Sequence, residues 1–263
     1  MRRSVWPSLA LGLVLAGGTT RADVWDVGTE TDNDAGTDNE LIHGTSQIHD
    51  LGALGGVLAD RDWYSVGQNG RSSYEVVIDS TTGDIGPADL LQLVLSDGTL
   101  IQSAVPVAAG LGNSRSLRFL NTTAGTVTNE YVRVGPALCG AACTVDDQYH
   151  IRMMETTIEV ARFNNAGSQV TVLLTQNASD VPINATFFYW NAAGTLLTTG
   201  NLIDFPAKQL NVFNTASFPA LAGVSGHITI AHDAPYGTLN VKTVALEPST
   251  GFSFDTPGVY RGF

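Results

Sequence analysis

Residues 63–79, WYSVGQNGRSSYEVVID, indicate the fold class of this chain. Two runs rich in aromatic and β-branched residues, Trp63–Val66 and Ser73–Asp79, lie on either side of Gln68-Asn69-Gly70. Asparagine and glycine tolerate the backbone angles of tight turns, and runs of this composition between turn residues are typical of strands. The stretch therefore predicts two β-strands joined by a turn.

The same pattern extends along the chain, while helical periodicity is nearly absent. A first series of predicted strands comprises Trp63–Val66, Ser73–Asp79, Leu90–Leu95, Leu100–Val105, Ser116–Asn121, Glu130–Val134 and Gln148–Met153. A second series comprises Ile158–Phe163, Gln169–Asn177, Ile183–Trp190, Thr195–Thr199, Gln209–Asn214, Gly226–His232 and Gly237–Leu246. The pattern predicts an all-β protein of two consecutive β-sandwich domains, residues 23–155 and 156–250, with a loose or edge-packed tail at residues 251–263. The second series matches an immunoglobulin-like sandwich in strand number and in its length of about 95 residues.

Composition narrows the classes of partner. The 263 residues are 43% apolar and 14% charged, and the formal net charge is −12. An acidic chain repels phosphate backbones, so no nucleic-acid partner is expected. The sequence contains no stretch of 18 apolar residues, so no membrane insertion is expected either.

Residues 1–22, MRRSVWPSLALGLVLAGGTTRA, predict a secretory signal peptide. Arg2 and Arg3 precede a short apolar run, and Thr20 and Ala22 supply the small residues of a cleavage site before Asp23. A buried core helix is the alternative. Cleavage would remove three arginines and no acid, which leaves 10 basic and 25 acidic residues and a net charge of −15. We therefore expect a secreted protein, extracellular or periplasmic.

Short motifs in chain order give the first half a resemblance to a known family. They are Leu51-Gly52 with Gly55-Gly56, Asp60–Val66, Ser73–Val76, Leu91–Leu95 with Asp97-Gly98, Tyr131–Val134 and Asp147–Arg152. Over roughly residues 30–155, this order resembles the bacterial pre-peptidase C-terminal (PPC) domain family. The resemblance implies a small jelly-roll-like β-sandwich of the kind appended to secreted proteases, where it is trimmed off or helps to bind polymeric substrate. Because this chain carries no protease domain, the resemblance implies a non-catalytic module.

Acidic residues are concentrated at the predicted mature N-terminus, in Glu30–Glu40. Alternate carboxylates in a glycine-containing loop can wrap a hard cation such as Ca²⁺ with oxygen ligands, and some PPC relatives bind calcium near the domain start. The spacing is not that of an EF-hand, because the sixth position counted from Asp32 is Thr37 rather than glycine. A solvated acidic tail is the alternative. The candidate calcium ligands are Asp32, Asp34, Asp38, Glu40, Asp60 and Asp62.

Cys139 and Cys143 are separated by three residues. In an oxidising compartment this pair predicts a small disulfide loop between the last two strands of the first domain. A zinc site would require further ligands nearby, and a redox motif would have two intervening residues.

No catalytic set of residues is predicted. The stretch Gly223-Val-Ser225-Gly-His227 lacks the final glycine of a nucleophile elbow. His227 and His232 are five residues apart on one predicted strand, so they should point to opposite faces. Together with His43, His49 and His150, they are expected at the surface or in turns.

An aromatic run, Phe187-Phe188-Tyr189-Trp190, must alternate between the two faces of its strand. One pair belongs to the core. The other pair either forms an exposed platform for a sugar ring or a peptide, or packs against the neighbouring domain or the C-terminal tail.

The sequence thus predicts a secreted, non-enzymatic binding module that contacts an extracellular protein or polysaccharide, with Ca²⁺ as its candidate cofactor. Two alternatives stay open: a structural or adhesion subunit that self-assembles through sheet edges, and an accessory protein of a secreted hydrolase. A hydrolase whose site is built from scattered residues is a further possibility.

Overall fold

The computed structural model describes residues 32–51, 61–81, 91–107, 114–135 and 147–262. Apart from two short 3-10 helices, Thr215–Ser217 and Pro219–Leu221, the regular structure of these residues consists of β-strands, which confirms the all-β prediction. None of their helices has the length and apolar character needed to cross a lipid bilayer. The predicted signal peptide, Asp60 and the Cys139–Cys143 pair lie outside the described residues.

The first half of the described chain, residues 32–155, forms two antiparallel sheets. Its strands are β1 (Ser46–Asp50), β2 (Asp62–Ser65), β3 (Ser72–Ser80), β4 (Leu91–Leu95), β5 (Leu100–Ser103), β6 (Val105–Pro106), β7 (Arg115–Asn121), β8 (Glu130–Val134) and β9 (Gln148–Glu155). One sheet has the order β1-β9-β3-β7-β6 and the other has the order β2-β8-β4-β5. An apolar core with members from both sheets lies in this half.

Alternation along β9 shows why these residues form a sandwich. Tyr149, Ile151 and Met153 are buried, and the intervening His150 and Arg152 are half-buried. This is the period-2 pattern of a strand with one face in a core. Burying each large apolar side chain contributes roughly 1.5–3 kcal/mol.

The second half, residues 156–262, also folds around its own apolar core. Its strands are β10 (Ile158–Asn164), β11 (Val170–Asn177), β12 (Ile183–Asn191), β13 (Leu196–Phe205), β14 (Leu210–Asn214), β15 (Ser225–His232), β16 (Leu239–Glu247) and β17 (Phe252–Tyr260). In the sheet, neighbouring strands have the order β13-β12-β15-β10-β17-β16-β11-β14, so β13 and β14 are the edge strands.

Residues 251–263 were expected to be a loose or edge-packed tail, and that expectation is wrong. Within them, β17 pairs with β16 through residues 252–257 and with β10 through residues 258–260. Pro257, which has no N–H to donate, lies where the strand exchanges β16 for β10 as its partner. At the next position a glycine is required, because a Cβ on Gly258 would lie 2.7 Å from Cγ2 of Ile158.

Polar contacts join the two halves where β9 leads into β10. The Thr156 N–H donates to the Ser73 carbonyl at 2.8 Å, and the Ser73 N–H donates to Oγ1 of Thr157 at 3.0 Å. Arg261, which follows β17, donates to Oγ of Ser72 at 2.8 Å and forms ion pairs with Glu155 and Glu159. The end of the chain is therefore tied to both halves.

A second set of contacts joins the first half to residues 233–236 of the second half. The Tyr236 N–H donates to Oε2 of the buried Glu75 at 2.7 Å, and Arg118 donates to the carbonyl of Asp233 at 2.8 Å. Glu75 points away from the core of the first half, and it is buried at this junction, where Tyr236 and the Ser116 hydroxyl both donate to its carboxylate.

Candidate metal centre and contact surfaces

Three side chains able to ligate a metal converge between the two sheets of the first half. Asp32, His49 and Asp62 each bring one ligand atom within 4.8 Å of the others, and all three are buried. We call them the Asp–His–Asp cluster. His49 belongs to β1 of one sheet and Asp62 to β2 of the other. Asp32 precedes both strands, and its carbonyl accepts the N–H of Trp63 at 2.6 Å, which fixes the incoming chain beside β2.

Two tyrosines support the Asp62 side of the cluster. The Tyr149 hydroxyl donates to Oδ2 of Asp62, and the Tyr64 hydroxyl lies 2.7 Å from the Tyr149 hydroxyl. Burial, reinforced by the charge of Asp62 and by Tyr64, raises the pKa of Tyr149 well above its usual value. Tyr149 therefore keeps its proton and remains a donor to Asp62.

The orientation of the His49 ring follows from its neighbours. The Gln47 amide donates from Nε2 to the Glu40 carbonyl at 2.9 Å, so its Oε1 faces Nε2 of His49, also at 2.9 Å. An oxygen at this position accepts a proton from Nε2, which makes Nδ1 the nitrogen with the lone pair. The ring also stacks on Tyr149 with centroids 5.8 Å apart.

The predicted calcium ligands do not all come together. Asp32 and Asp62 share the buried cluster, whereas Asp34, Asp38 and Glu40 are exposed. Oδ1 of Asp34 accepts the Gly36 N–H at 2.7 Å, which is a local turn contact. Asp60, the sixth predicted ligand, lies outside the described residues.

The expectation that all histidines lie at the surface or in turns is wrong for two of them. His49 is 1% exposed and His232 is fully buried. In β1 the neighbouring Ile48 is 57% exposed, so this strand turns its apolar residue outward and its histidine inward. Because of this inversion, apolar alternation in the sequence predicts neither the strand β1 nor the Asp–His–Asp cluster.

The histidines of β15 point to opposite faces, as predicted. The His227 ring stacks on Trp190 at 6.0 Å. His232 faces the core, where its Nδ1 accepts the Ala234 N–H at 3.2 Å, and burial lowers its pKa to about 4. The adjacent Asp233 carboxylate binds the backbone N–H and side-chain amide of Asn184. His232 is therefore a neutral, buried imidazole, and Asp233 is a carboxylate bound to an amide. Both residues make structural contacts.

The aromatic run of β12 divides as its alternation requires. Phe187 and Tyr189 are core residues. Phe188 is buried and Trp190 half-buried, and the guanidinium of Arg71, from the first half, lies 5.8 Å and 4.9 Å from their ring centroids. Of the two readings of the outer pair, the structure thus supports packing against the neighbouring half rather than an exposed platform.

Exposed aromatic rings occur instead on β17. Phe252 is 64% exposed and Phe254 is 51% exposed, with ring centroids 5.6 Å apart. We call them the Phe pair. Their strand is held in register by β16, where they lie opposite Glu247 and Ala245.

Comparisons with known proteins assign no family. No protein-family model and no curated protein sequence matches the chain. Among solved structures, a β-glucuronidase from Parabacteroides merdae shows 8% identity and a TM-score of 0.19, covering 75% of this chain and 28% of the enzyme. A glycosyl hydrolase family 2 member from Bacteroides cellulosilyticus shows 10% identity and a TM-score of 0.20, covering 82% of this chain and 29% of that protein. The infectious bursal disease virus Gx strain structure shows 13% identity and a TM-score of 0.16, covering 81% of this chain and 69% of that one. The chain thus spans less than a third of the length of the two bacterial proteins, and likenesses this low carry no argument about function.

Proposed function

We propose that this protein is a secreted, non-catalytic binding protein that contacts an extracellular polysaccharide through the Phe pair of β17. The observation that supports it is the exposure of two adjacent phenylalanine rings on a strand held by regular pairing. The PPC resemblance of residues 30–155 supports the same reading, because it implies a non-catalytic module of secreted proteins.

Exposure of the Phe pair is unfavourable unless a partner covers it. Two neighbouring rings that remain in water forgo the burial free energy that phenylalanine normally contributes. Contiguous exposed apolar surface of this kind marks binding sites in soluble proteins. The aromatic faces can stack on the C–H face of a sugar ring.

The surroundings of the Phe pair suit a hydroxyl-rich, uncharged ligand. Glu247 pairs with Phe252 across the sheet, so its carboxylate offers a hydrogen-bonding group on the same face as the Phe pair. The chain as a whole carries a net charge of −12, which disfavours an anionic polymer. We therefore expect a neutral polysaccharide.

Retention on insoluble neutral polysaccharides and on a glycan array tests the proposal. The F252A/F254A double variant should lose at least tenfold in affinity for the polymer that retains the native protein. Ile203→Ser is the matched control, because Ile203 is 70% exposed on the far edge strand β13 and should be dispensable. Thermal unfolding of each variant checks that it remains folded.

Two results would contradict the proposal. One is native retention of the double variant. The other is failure of every neutral polymer to retain the native protein. If only a protein ligand then captured it, the partner would be a cell-surface protein instead.

A second candidate function, self-assembly, is favoured by the edges of the second half. Leu210 and Val212 on β14 are 57% and 59% exposed, beside backbone groups that no further strand covers in the described sheet. Such edges can pair with another copy. Light scattering after gel filtration should then show an oligomer that Val212→Lys converts to a monomer, and a native monomer at all concentrations would exclude this function.

A further inference from the structure

We propose that the Asp–His–Asp cluster is a binding site for a single transition-metal dication of the Zn²⁺ type, and not the calcium site expected from the acidic segment. The juxtaposition of one imidazole and two carboxylates in a buried space supports this assignment. It does not rest on the proposed polysaccharide binding, and each can fail without the other.

The donor set selects the class of metal. Imidazole and carboxylate together suit zinc and its neighbours, whereas Ca²⁺ requires six to eight oxygen ligands. Asp34, Asp38 and Glu40, which were expected to supply such oxygens, are exposed and lie outside the buried cluster.

The separation of the ligand atoms is compatible with one ion. They lie within 4.8 Å of one another. In a tetrahedral zinc site with bonds of about 2.0–2.2 Å, ligand atoms are separated by about 3.4 Å. Small rotations of side chains can close this difference, and a fourth position would be available to water.

The charges also match. Two carboxylates buried within a few ångström repel each other unless a cation or a shared proton lies between them. A dication bound by all three residues would balance both carboxylate charges.

The groups behind the ligands provide an independent observation. Metal-bound histidines commonly donate their second ring nitrogen to an oxygen that fixes the ring, and ligating carboxylates are themselves hydrogen-bonded. Here Gln47 accepts from Nε2 of His49, which presents Nδ1 as the ligand atom, and Tyr149 donates to Oδ2 of Asp62. Both ligands are thus held as a metal site requires.

The position of the cluster defines what the ion would do. Its ligands come from the chain segment before β1, from β1 and from β2. The strands β1 and β2 belong to different sheets. An ion bound by all three would fasten the N-terminal segment and the edge strand β1 across the sandwich. Its expected effect is therefore on stability.

The experiment uses tag-free protein with the full mature chain, stripped with a chelator and then titrated separately with ZnCl₂, CoCl₂ and CaCl₂. Calorimetry should give one Zn²⁺ per chain, and thermal unfolding should shift upward with Zn²⁺ but not with millimolar Ca²⁺. Co²⁺ should show the intense visible absorption of a tetrahedral site.

Variants separate the cluster from the rest of the acidic segment. His49→Gln and Asp62→Asn should each weaken Zn²⁺ binding at least a hundredfold, and Asp38→Asn, a surface acid of the same segment, should leave it unchanged. The Co²⁺ spectrum of the native protein keeps the test decisive if a cluster variant fails to fold. Absence of stoichiometric Zn²⁺ binding, stabilisation by Ca²⁺ alone, or an equal effect of Asp38→Asn would overturn the proposal.

Discussion

The core of the first half encloses the Asp–His–Asp cluster between its sheets, whereas the core of the second half is filled by residues such as Phe163, Phe187 and Tyr189. Apolar packing needs no partner, because burial itself stabilises it. Buried carboxylates need a hydrogen bond, a proton or a cation. Among the described residues, the first half therefore contains a polar cluster whose contribution to stability an ion can change, whereas the core of the second half is stabilised by apolar packing.

The largest expected effect is in the apolar half. Phe163 is fully buried and packs edge-on against Tyr189 with centroids 6.0 Å apart. Phe163→Ala should lower the free energy of unfolding by about 3–5 kcal/mol, since it removes burial and leaves a cavity. Urea denaturation followed by tryptophan fluorescence measures the change.

Phe254→Ala is the matched control for that variant. Because its ring is 51% exposed, its removal should cost less than about 1 kcal/mol. Equal losses for the two variants would show that the core of the second half is not packed as described.

The next prediction concerns acid. Burial lowers the pKa of His232 from 6.5 to about 4, so the folded state excludes a proton that the unfolded state binds. Stability should therefore fall as the pH drops from 6.5 towards 4, by roughly 3 kcal/mol from this group. Above pH 6.5 the histidine is neutral in both states and contributes no slope.

His232→Gln should flatten this part of the pH profile, as measured by denaturation at a series of pH values. His227→Gln, a change at the half-buried histidine of the same strand, should leave the profile as it is. If the stability of the His232→Gln variant fell with pH as steeply as that of the native protein, other groups would be responsible for the acid sensitivity.

A smaller effect is expected beside the cluster. Tyr149→Phe removes the donor to Asp62 and the hydroxyl partner of Tyr64. The loss should be about 1–3 kcal/mol, because buried polar groups lose their hydrogen bonds. Tyr131→Phe, at a half-buried position on β8, is the control, and thermal unfolding at pH 7 is the readout.

Much of this fold was predictable from the sequence. β3 is rich in aromatic and β-branched residues, and β9 alternates between apolar and polar residues. The predicted Ser73–Asp79 lies within Ser72–Ser80, and the predicted Glu130–Val134 is β8 itself. Two strands were missed for physical reasons. β1 places Ile48 outward, and β17 exposes side chains on both faces and contains Pro257.

The site was predictable in part. Asp32 and Asp62 were recognisable as candidate metal ligands because carboxylates are common cation ligands. His49 was not, since its position inside the sandwich depends on the pairing of β1 with β9, about 100 residues further along the chain. The contact between Arg71 and Trp190 likewise arises from the arrangement of the two halves, which no local pattern encodes.

Hydrogen exchange with and without Zn²⁺ tests the central difference between the halves most directly. If the Asp–His–Asp cluster binds the ion, amide protection should rise in β1 and β2, at residues 46–50 and 62–65, and stay constant in β17, at residues 252–260. No change in β1 and β2, or an equal change in β17, would contradict it.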